Sequence, residues 1–385
     1  ACRHKGWVTD WSNRRGCLLD AGAEESAHSR PLRISVLRPE KRGKERRLLA
    51  SWTILVLSGA MIVMAGTKLS RCGDQIAALT GLGRLWVGVV LMAAATSLPE
   101  VFTTVSAGLL DAPDLAAGDL FGAVLANMFT LGLIDLVHRD KRVWEQAAFE
   151  HTLVAALAML LTGLAAFLVL FRSGTGASAI EGGSALLFLA YVFGMRMVFR
   201  QEDVKRRQRA QQLLAEAEAD DDHTRESVRR DGLRRAAIGF VAATVVLIIA
   251  APLLAKSAKD IADQSGVSTT FVGTSLVAVV TTLPELVTSL AAVRLGAFDL
   301  AVGNLFGSNA FNMAAFLFAD LAYAGGPLLG AIDSTHALTA LWGILMMNVG
   351  LMGIVYRVEK RYWLIEPDSL VMILGYLLGL WLLFR

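Results

Sequence analysis

The chain has 385 residues, of which 55% are apolar and only 18% are charged, and its mean hydropathy is +0.52. This composition excludes a disordered chain, a collagen-like fibre and a disulfide scaffold, and it argues against an ordinary soluble enzyme. The net charge of +3 does not indicate a nucleic-acid partner, and the three cysteines and six histidines show no metal-ligand spacing.

Most of the charge lies in two segments. Residues 1–47 contain 18 of the 71 Lys, Arg, Asp and Glu side chains, and residues 200–235 contain 19. No stretch in residues 1–47 resembles a signal peptide, and we expect this segment to be a basic, disordered N-terminal extension. The rest of the chain consists of long apolar stretches with rare charges, which is typical of a polytopic membrane protein.

Ten apolar stretches approach the length of about 20 residues that a spanning helix needs. They are residues 49–69, 85–110, 115–137, 152–171, 181–199, 236–255, 269–293, 299–321, 334–356 and 368–384, and the last is short. The sequence therefore predicts an all-α polytopic membrane protein of about ten transmembrane helices. It divides into a five-helix repeat at 48–199, a charged loop at 200–235 and a second five-helix repeat at 236–385.

The basic residues of the connecting loops predict the topology. Loops on the side of the first connection contain 20 Lys and Arg residues, whereas loops on the other side contain only Arg172, Lys256 and Lys259. By the positive-inside rule, the 200–235 loop is cytoplasmic and both termini lie outside. The seven basic residues just before the first span favour the opposite orientation, but the internal loops outnumber them.

An internal repeat is the most informative feature of the sequence. When the chain is shifted by 185 residues, positions 86–128 align with 271–313 without a gap, and 21 of these 43 positions are identical. The shared residues include Leu-Pro-Glu, glycines and asparagine, which chance similarity between apolar helices does not place in register. Because each half has five spans, the second half is inverted, and inverted repeats are a signature of secondary transporters.

Two acidic residues lie near the centres of matching spans. Glu100 is the only charge between Arg84 and Asp111, and Glu285 is the only charge between Asp263 and Arg294. A charge at the bilayer centre costs about 2.5–3.5 kcal/mol on insertion scales. We therefore interpret the duplicated pair as functional, although a structural, hydrogen-bonded carboxylate is the alternative.

The proline before each glutamate predicts a local break in the helix. Pro99 and Pro284 cannot donate to the carbonyls four residues earlier, and a freed carbonyl inside a membrane needs a cavity or a partner. Hydroxyls precede each Pro-Glu pair at Thr96, Ser97, Thr281 and Thr282. Carboxylate, carbonyl and hydroxyl oxygens suit hard cations such as calcium and sodium, although a threonine in a span also commonly bonds to its own helix.

The next span of each repeat adds amide and hydroxyl groups. Asn127, Ser308 and Asn312 are expected to face inward, and the glycines of this span favour close helix packing. Asp119 and Asp299 are expected near helix ends, where capping or solvent satisfies them.

These residues resemble the cation/calcium exchanger superfamily, which includes sodium/calcium exchangers. Its two alpha repeats carry a Gly-Thr-Ser-Leu-Pro-Glu type motif and then a Gly-Asn-x-x-Gly-Ser-Asn type motif. The second repeat matches at 280–285 and 303–309, and the first at 95–100 and 118–124. The departures are Ala123, where the family usually has serine, and Asp119, where it has asparagine.

The resemblance implies a set of ion ligands. Glu100 and Glu285 would be the central ligands, completed by Thr96, Thr281, Ser97, Thr282 and the carbonyls of Ala93 and Ala278. Asn127, Ser308 and Asn312 would line the same cavity. The resemblance also implies alternating access, in which two spans rock against the other eight.

We therefore expect a secondary active antiporter, not an enzyme, that exchanges calcium for sodium at the middle of a cell (inner) membrane. A calcium/proton antiporter is the closest alternative, a passive cation channel is a second, and a membrane-embedded enzyme is a third. The expected partners are inorganic cations and the lipid bilayer, with Ca²⁺ and Na⁺ or H⁺ as transported ions. No cofactor, no nucleic acid and no obligatory protein partner is expected.

Overall fold

The computed structural model describes residues 39–137, 151–175, 182–216, 223–265, 280–356 and 367–383, and every regular element within them is helical. The long helices are α1 (Pro39–Thr80), α2 (Arg84–Thr96), α3 (Leu98–Leu109), α4 (Pro113–Val137), α5 (His151–Thr175), α6 (Gly183–Glu216), α7 (His223–Ser265), α8 (Leu283–Arg294), α9 (Phe298–Ala322), α11 (Thr335–Tyr356) and α12 (Pro367–Leu383), with the short α10 (Leu328–Ala331) before α11. The prediction of an all-α, polytopic membrane protein is confirmed.

The spans lie where hydropathy predicts them. Seven described helices are long and apolar enough to cross a membrane, and α2 with α3 forms an eighth span that is bent by 42°. The apolar part of α12, Asp368–Leu382, is shorter, in agreement with the short tenth span. Only the second half of the predicted span 269–293 lies within the described residues.

The described parts of the two charged segments are mostly helical, although the sequence predicted an extension and a loop. Helix α1 begins at Pro39, inside the segment expected to be an extension, while residues 1–38 lie outside the described part of the chain. Helix α6 continues to Glu216 and α7 begins at His223, so most of the 200–235 loop extends the flanking helices. Its alanine, leucine, glutamine and glutamate residues are good helix formers, which explains this extension.

Helices α4 and α9 form the interior of the fold, and two glycines bring the backbones of α2 and α9 into contact. A Cβ atom on Gly88 would lie 2.7 Å from the carbonyl oxygen of Leu300, and one on Gly307 would lie 2.6 Å from that of Val89. Only glycine permits so close an approach. The contact sets the broken span of the first repeat against the amide-bearing helix of the second.

The outer surface is apolar. Helices α1, α6 and α7 keep many large apolar side chains exposed, including Val56, Met64, Phe193, Ile238 and Val241. In a water-soluble protein such a surface would be an aggregation hazard, whereas in a bilayer it faces acyl chains.

Two histidine–aspartate pairs join the repeats and obey the same offset of 185 residues. His151 Nε2 lies 3.0 Å from Asp299 Oδ1, and His336 Nε2 lies 3.6 Å from Asp114 Oδ1. Each aspartate is in the first turn of α4 or α9, and each histidine starts a helix of the opposite repeat. The symmetry of the two repeats therefore extends beyond the motifs found in the sequence.

Two serine–aspartate bonds repeat this arrangement at the other ends of α4 and α9. Ser184 Oγ donates to Asp320 Oδ2 at 2.5 Å, and Ser369 Oγ donates to Asp135 Oδ2 at 2.5 Å. Both residues of one bond are again shifted by 185 from those of the other. Each of the two central helices is thus held near both ends by side chains of the opposite repeat.

Candidate ion-binding site

The two Leu-Pro-Glu motifs begin new helices at matching backbone breaks. The break falls at Ser97 in the first repeat (φ −85°, ψ 3°) and at Thr282 in the second (φ −79°, ψ 2°). Pro99 and Pro284 occupy the first turns of α3 and α8, where a missing N–H group has no helical acceptor in any case. The predicted proline breaks are therefore present in both repeats.

The two glutamates are fully buried, and a hydrogen bond connects one motif to the other. Ser97 Oγ of the first motif donates to Glu285 Oε1 of the second at 3.1 Å, and Ser308 Oγ lies 3.5 Å from the same oxygen. Glu100 is close enough to Glu285 for their charges to interact. We call the surroundings of Glu100 and Glu285 the inter-repeat site.

Several carboxylate oxygens of this site have no donor. Within the described residues, neither oxygen of Glu100 nor Oε2 of Glu285 has a hydrogen-bond partner, although both side chains are 0% exposed. Buried carboxylates without donors are costly, and a cation is one group that removes the cost. No group of three or more His, Cys, Asp or Glu side chains in the described ranges is arranged to hold a metal ion, so hydroxyl, amide or carbonyl oxygens would have to complete the shell.

The motif threonines contact the opposite repeat. Thr96 Oγ1 lies 2.9 Å from the carbonyl of Met92 and 3.2 Å from Asn304 Oδ1. Thr281 Oγ1 donates to Asp119 Oδ1 at 3.1 Å. Thr96 thus makes the contact with its own helix that threonine commonly makes. Its contact with Asn304 of the opposite repeat also orients the hydroxyl.

Amide groups with unused polar atoms lie on α4 and α9. Asn127 Nδ2 donates to Asn309 Oδ1 at 2.9 Å, which leaves Asn127 Oδ1 without a partner among the described residues. Neither polar atom of the Asn312 side chain has one there, and all three side chains are fully buried. These oxygens have the chemistry of ligands for a hard cation.

The sequence-based ligand set is buried around the breaks. Nine side chains of the set are at most 3% exposed: Thr96, Ser97, Glu100, Asn127, Thr281, Thr282, Glu285, Ser308 and Asn312. The carbonyl of Ala93 accepts the N–H of Ser97 at 3.0 Å and keeps a second lone pair. Ala278 lies outside the described residues. Ligation by this set stays a prediction.

The expectation for Asp119 was wrong. Asp119 is the seventh residue of α4 and 1% exposed, because the helix begins at Pro113 and so places it almost two turns inside. Asp299 does lie in the first turn of α9, with its side chain 35% exposed.

The sequence interpretation also did not single out Asn304 and Asn309, which contact Thr96 and Asn127 of the expected ligand set. Asn304 Nδ2 donates to Thr288 Oγ1 at 3.1 Å and to Ser289 Oγ at 3.0 Å. The repeat contained a signal for Asn304, since it occupies the position equivalent to Asp119. Asn309 aligns with Val124, so no matching polar residue indicated it.

Comparisons with known proteins agree with this architecture. A family described as "Sodium/calcium exchanger protein" matches residues 50–199 and 235–385. The inner membrane protein YrbG of Escherichia coli (strain K12) is 30% identical over 275 residues, which cover 70% of this chain and 79% of that protein. The sodium/calcium exchanger MaX1 of Methanosarcina acetivorans is 25% identical over 304 residues, which cover 73% of this chain and 85% of that protein.

A solved structure of the sodium-calcium exchanger NCX_Mj has the same fold. It superposes with a TM-score of 0.65 at 19% sequence identity, and the match covers 86% of this chain and 98% of that one. The predicted architecture of about ten transmembrane helices in two inverted repeats is thereby confirmed.

Proposed function

The chain belongs to the sodium/calcium exchanger family, and from that premise we propose that it exchanges calcium for sodium by alternating access at the inter-repeat site. The observation that carries the proposal is the Ser97–Glu285 hydrogen bond between two fully buried motifs. This bond connects the break of the first repeat to the glutamate of the second. Other carboxylate oxygens of Glu100 and Glu285 have no donor in the described part of the chain.

The charge of the two glutamates suits the proposed ions. With both ionised they carry about −2, which one divalent or two monovalent cations neutralise. The surrounding hydroxyl and amide oxygens are hard ligands, which calcium and sodium prefer over softer metals.

The same charge favours exchange over a leak. An empty site would leave like charges buried close together in a medium of low dielectric constant, which is unfavourable. The site therefore returns across the membrane with another cation bound. The role of Glu100 and Glu285 is to bind the ion, and the role of Ser97 and Ser308 is to orient Glu285 by donating to it.

The division of the fold into moving and fixed parts supports alternating access. Three aspartate hydrogen bonds and the 3.6 Å contact between Asp114 and His336 connect α4 and α9 to α5, α6, α11 and α12 of the opposite repeats. Helices α1 and α7 have only 22% and 33% of their most apolar stretches buried, and many of their apolar side chains are exposed. We propose that these two helices move against the rest.

The chain is a multi-pass integral membrane protein, and we propose that it lies in the cell (inner) membrane with the 200–235 loop in the cytoplasm. The excess of 20 basic residues over three in the loops supports this orientation. The similarity to YrbG, which is named an inner membrane protein, supports the location. The proposed partners are the transported cations and the lipid bilayer.

The rival function is calcium/proton exchange, and one observation favours it. Ala123 occupies the position equivalent to Ser308, so Glu100 lacks the hydroxyl that Glu285 has. A carboxylate with no donor is able to take up a proton in place of sodium.

Flux measurements with the purified chain in liposomes separate these functions. Calcium uptake driven by an outward sodium gradient at equal pH supports the proposal, whereas uptake driven only by a pH gradient contradicts it. Calcium flux that persists with no counter-ion on the other side indicates a channel.

The first prediction concerns the two acids. Glu100→Gln and Glu285→Gln are each expected to lower calcium flux at least a hundredfold, because each removes a charged ligand, while membrane insertion remains intact. Asp111→Asn, which changes an exposed acid between α3 and α4, is the control and should transport as the wild type does. Wild-type flux in both glutamine variants would remove the basis of the site assignment.

A further inference from the structure

Asp119 is a third buried acid beside the two glutamates. Its side chain is 1% exposed, and its charge interacts with those of Glu100 and Glu285. One carboxylate oxygen, Oδ1, accepts the hydroxyl of Thr281 at 3.1 Å. The other, Oδ2, is buried and has no hydrogen-bond partner among the described residues.

Asn304 shows what this position does in the other repeat. Its Oδ1 contacts Thr96, as Asp119 contacts Thr281, so both side chains orient a motif threonine. Its Nδ2 donates to Thr288 and Ser289. Every polar group of Asn304 is thus used, whereas half of the Asp119 carboxylate is not.

The need to orient Thr281 therefore does not explain why position 119 carries an acid and not an amide. An asparagine would accept the same hydroxyl through Oδ1 and would avoid the cost of a charge buried inside the membrane. A buried carboxylate whose charge interacts with two others stays ionised only when positive charge lies nearby. An acid in place of the amide changes the number of charges in the site and leaves its shape nearly the same.

We propose that Asp119 supplies a third negative charge to the inter-repeat site and thereby makes it bind one more sodium ion per transport cycle than Glu100 and Glu285 would bind alone. This inference rests on the proposed function. The carboxylate oxygen Oδ2 of Asp119, which has no hydrogen-bond partner among the described residues, is the kind of hard oxygen that sodium takes. Asp119 is thus a residue that sets coupling stoichiometry.

The substitution Asp119→Asn separates charge from orientation. It keeps an oxygen that accepts from Thr281, and it makes the first repeat like the second at this position. The variant is expected to transport calcium with one sodium ion fewer per calcium ion, and each cycle should move one charge fewer across the membrane.

The coupling ratio is measured in proteoliposomes. At a fixed calcium gradient and membrane potential, the sodium gradient at which net calcium flux is zero gives the number of sodium ions per calcium ion. The matched control is Asp111→Asn, which neutralises an exposed acid between α3 and α4 and should keep the wild-type ratio. A wild-type ratio in Asp119→Asn would overturn the inference.

A second measurement does not depend on transport. Ligands that bind only the folded state stabilise it, and the rise in stability with the logarithm of sodium concentration reports the number of ions bound. For purified Asp119→Asn this slope is expected to fall by one ion relative to the wild type and to Asp111→Asn, and an unchanged slope would contradict the proposal. If the wild type shows no sodium-driven calcium flux, the proposed function is wrong. The dependence of stability on sodium concentration then tests by itself whether Asp119 contributes to sodium binding.

Discussion

Ala123 and Ser308 differ by a single hydroxyl at equivalent positions of the repeats. Ser308 Oγ lies 3.5 Å from Glu285 Oε1, whereas neither oxygen of Glu100 has a donor within the described ranges. Ala123 is fully buried, and serine adds only one oxygen to it. The residues around Glu100 therefore offer one hydroxyl fewer than those around Glu285.

We predict that Ala123→Ser strengthens cation binding. The new hydroxyl supplies an interaction worth about 0.5–1.5 kcal/mol, which corresponds to a two- to tenfold lower half-saturating sodium concentration. Ser308→Ala is the reverse change and should raise that concentration by a similar factor. Sodium dependence of calcium flux measures both, and equal values for the two variants would contradict the assignment of position 123 to the site.

At the scale of the elements, the close contact between α2 and α9 positions the inter-repeat site. Helix α2 ends one residue before the Ser97 break, and α9 carries Asn304, Ser308 and Asn312. Proline allowed the bend between α2 and α3 to be predicted. The partner of the bent span was not predictable, because the glycine contacts join residues about 210 positions apart.

We predict that Gly307→Ala destabilises the fold. Its Cβ atom would lie 2.6 Å from the carbonyl oxygen of Val89, and two helix backbones would have to separate. Overpacking of this kind costs about 1–3 kcal/mol, which thermal unfolding of the purified protein measures as a lower Tm. Gly59→Ala is the control, because the nearest contact of its Cβ atom would be the flexible end of Leu254 at 3.6 Å. Equal Tm values for the two variants would show that the α2–α9 contact is not tight.

At the scale of the whole molecule, four aspartates hold the central helices. Asp114 and Asp135 lie near the two ends of α4, and Asp299 and Asp320 lie near the two ends of α9. Asp135, Asp299 and Asp320 bond to side chains of the opposite repeat, and Asp114 lies 3.6 Å from the His336 side chain. The repeats are thereby interlocked, which explains how an ion site built between them keeps its geometry.

We predict that the two ends of α9 lie on opposite sides of the membrane. Leu295 precedes α9 and Ser334 follows it, so a single span separates them. In a cysteine-free background, Leu295→Cys should react with a membrane-impermeant thiol reagent only from the cytoplasm, and Ser334→Cys only from outside. The reverse result would invert the proposed orientation, and labelling of both positions from one side would contradict the span.

The sequence by itself determined the number and places of the apolar spans, the 185-residue repeat and the two acids of its motifs. These are local or periodic signals: hydropathy is read along the chain, and a charge inside an apolar stretch is visible without any partner. Only the tertiary structure decided that Ser97 bonds to Glu285, that Asn304 contacts Thr96 and that Asp119 is buried. Those facts depend on where helices begin and what packs across the repeats, and such contacts join residues more than 160 positions apart, whose proximity follows from packing of the whole bundle.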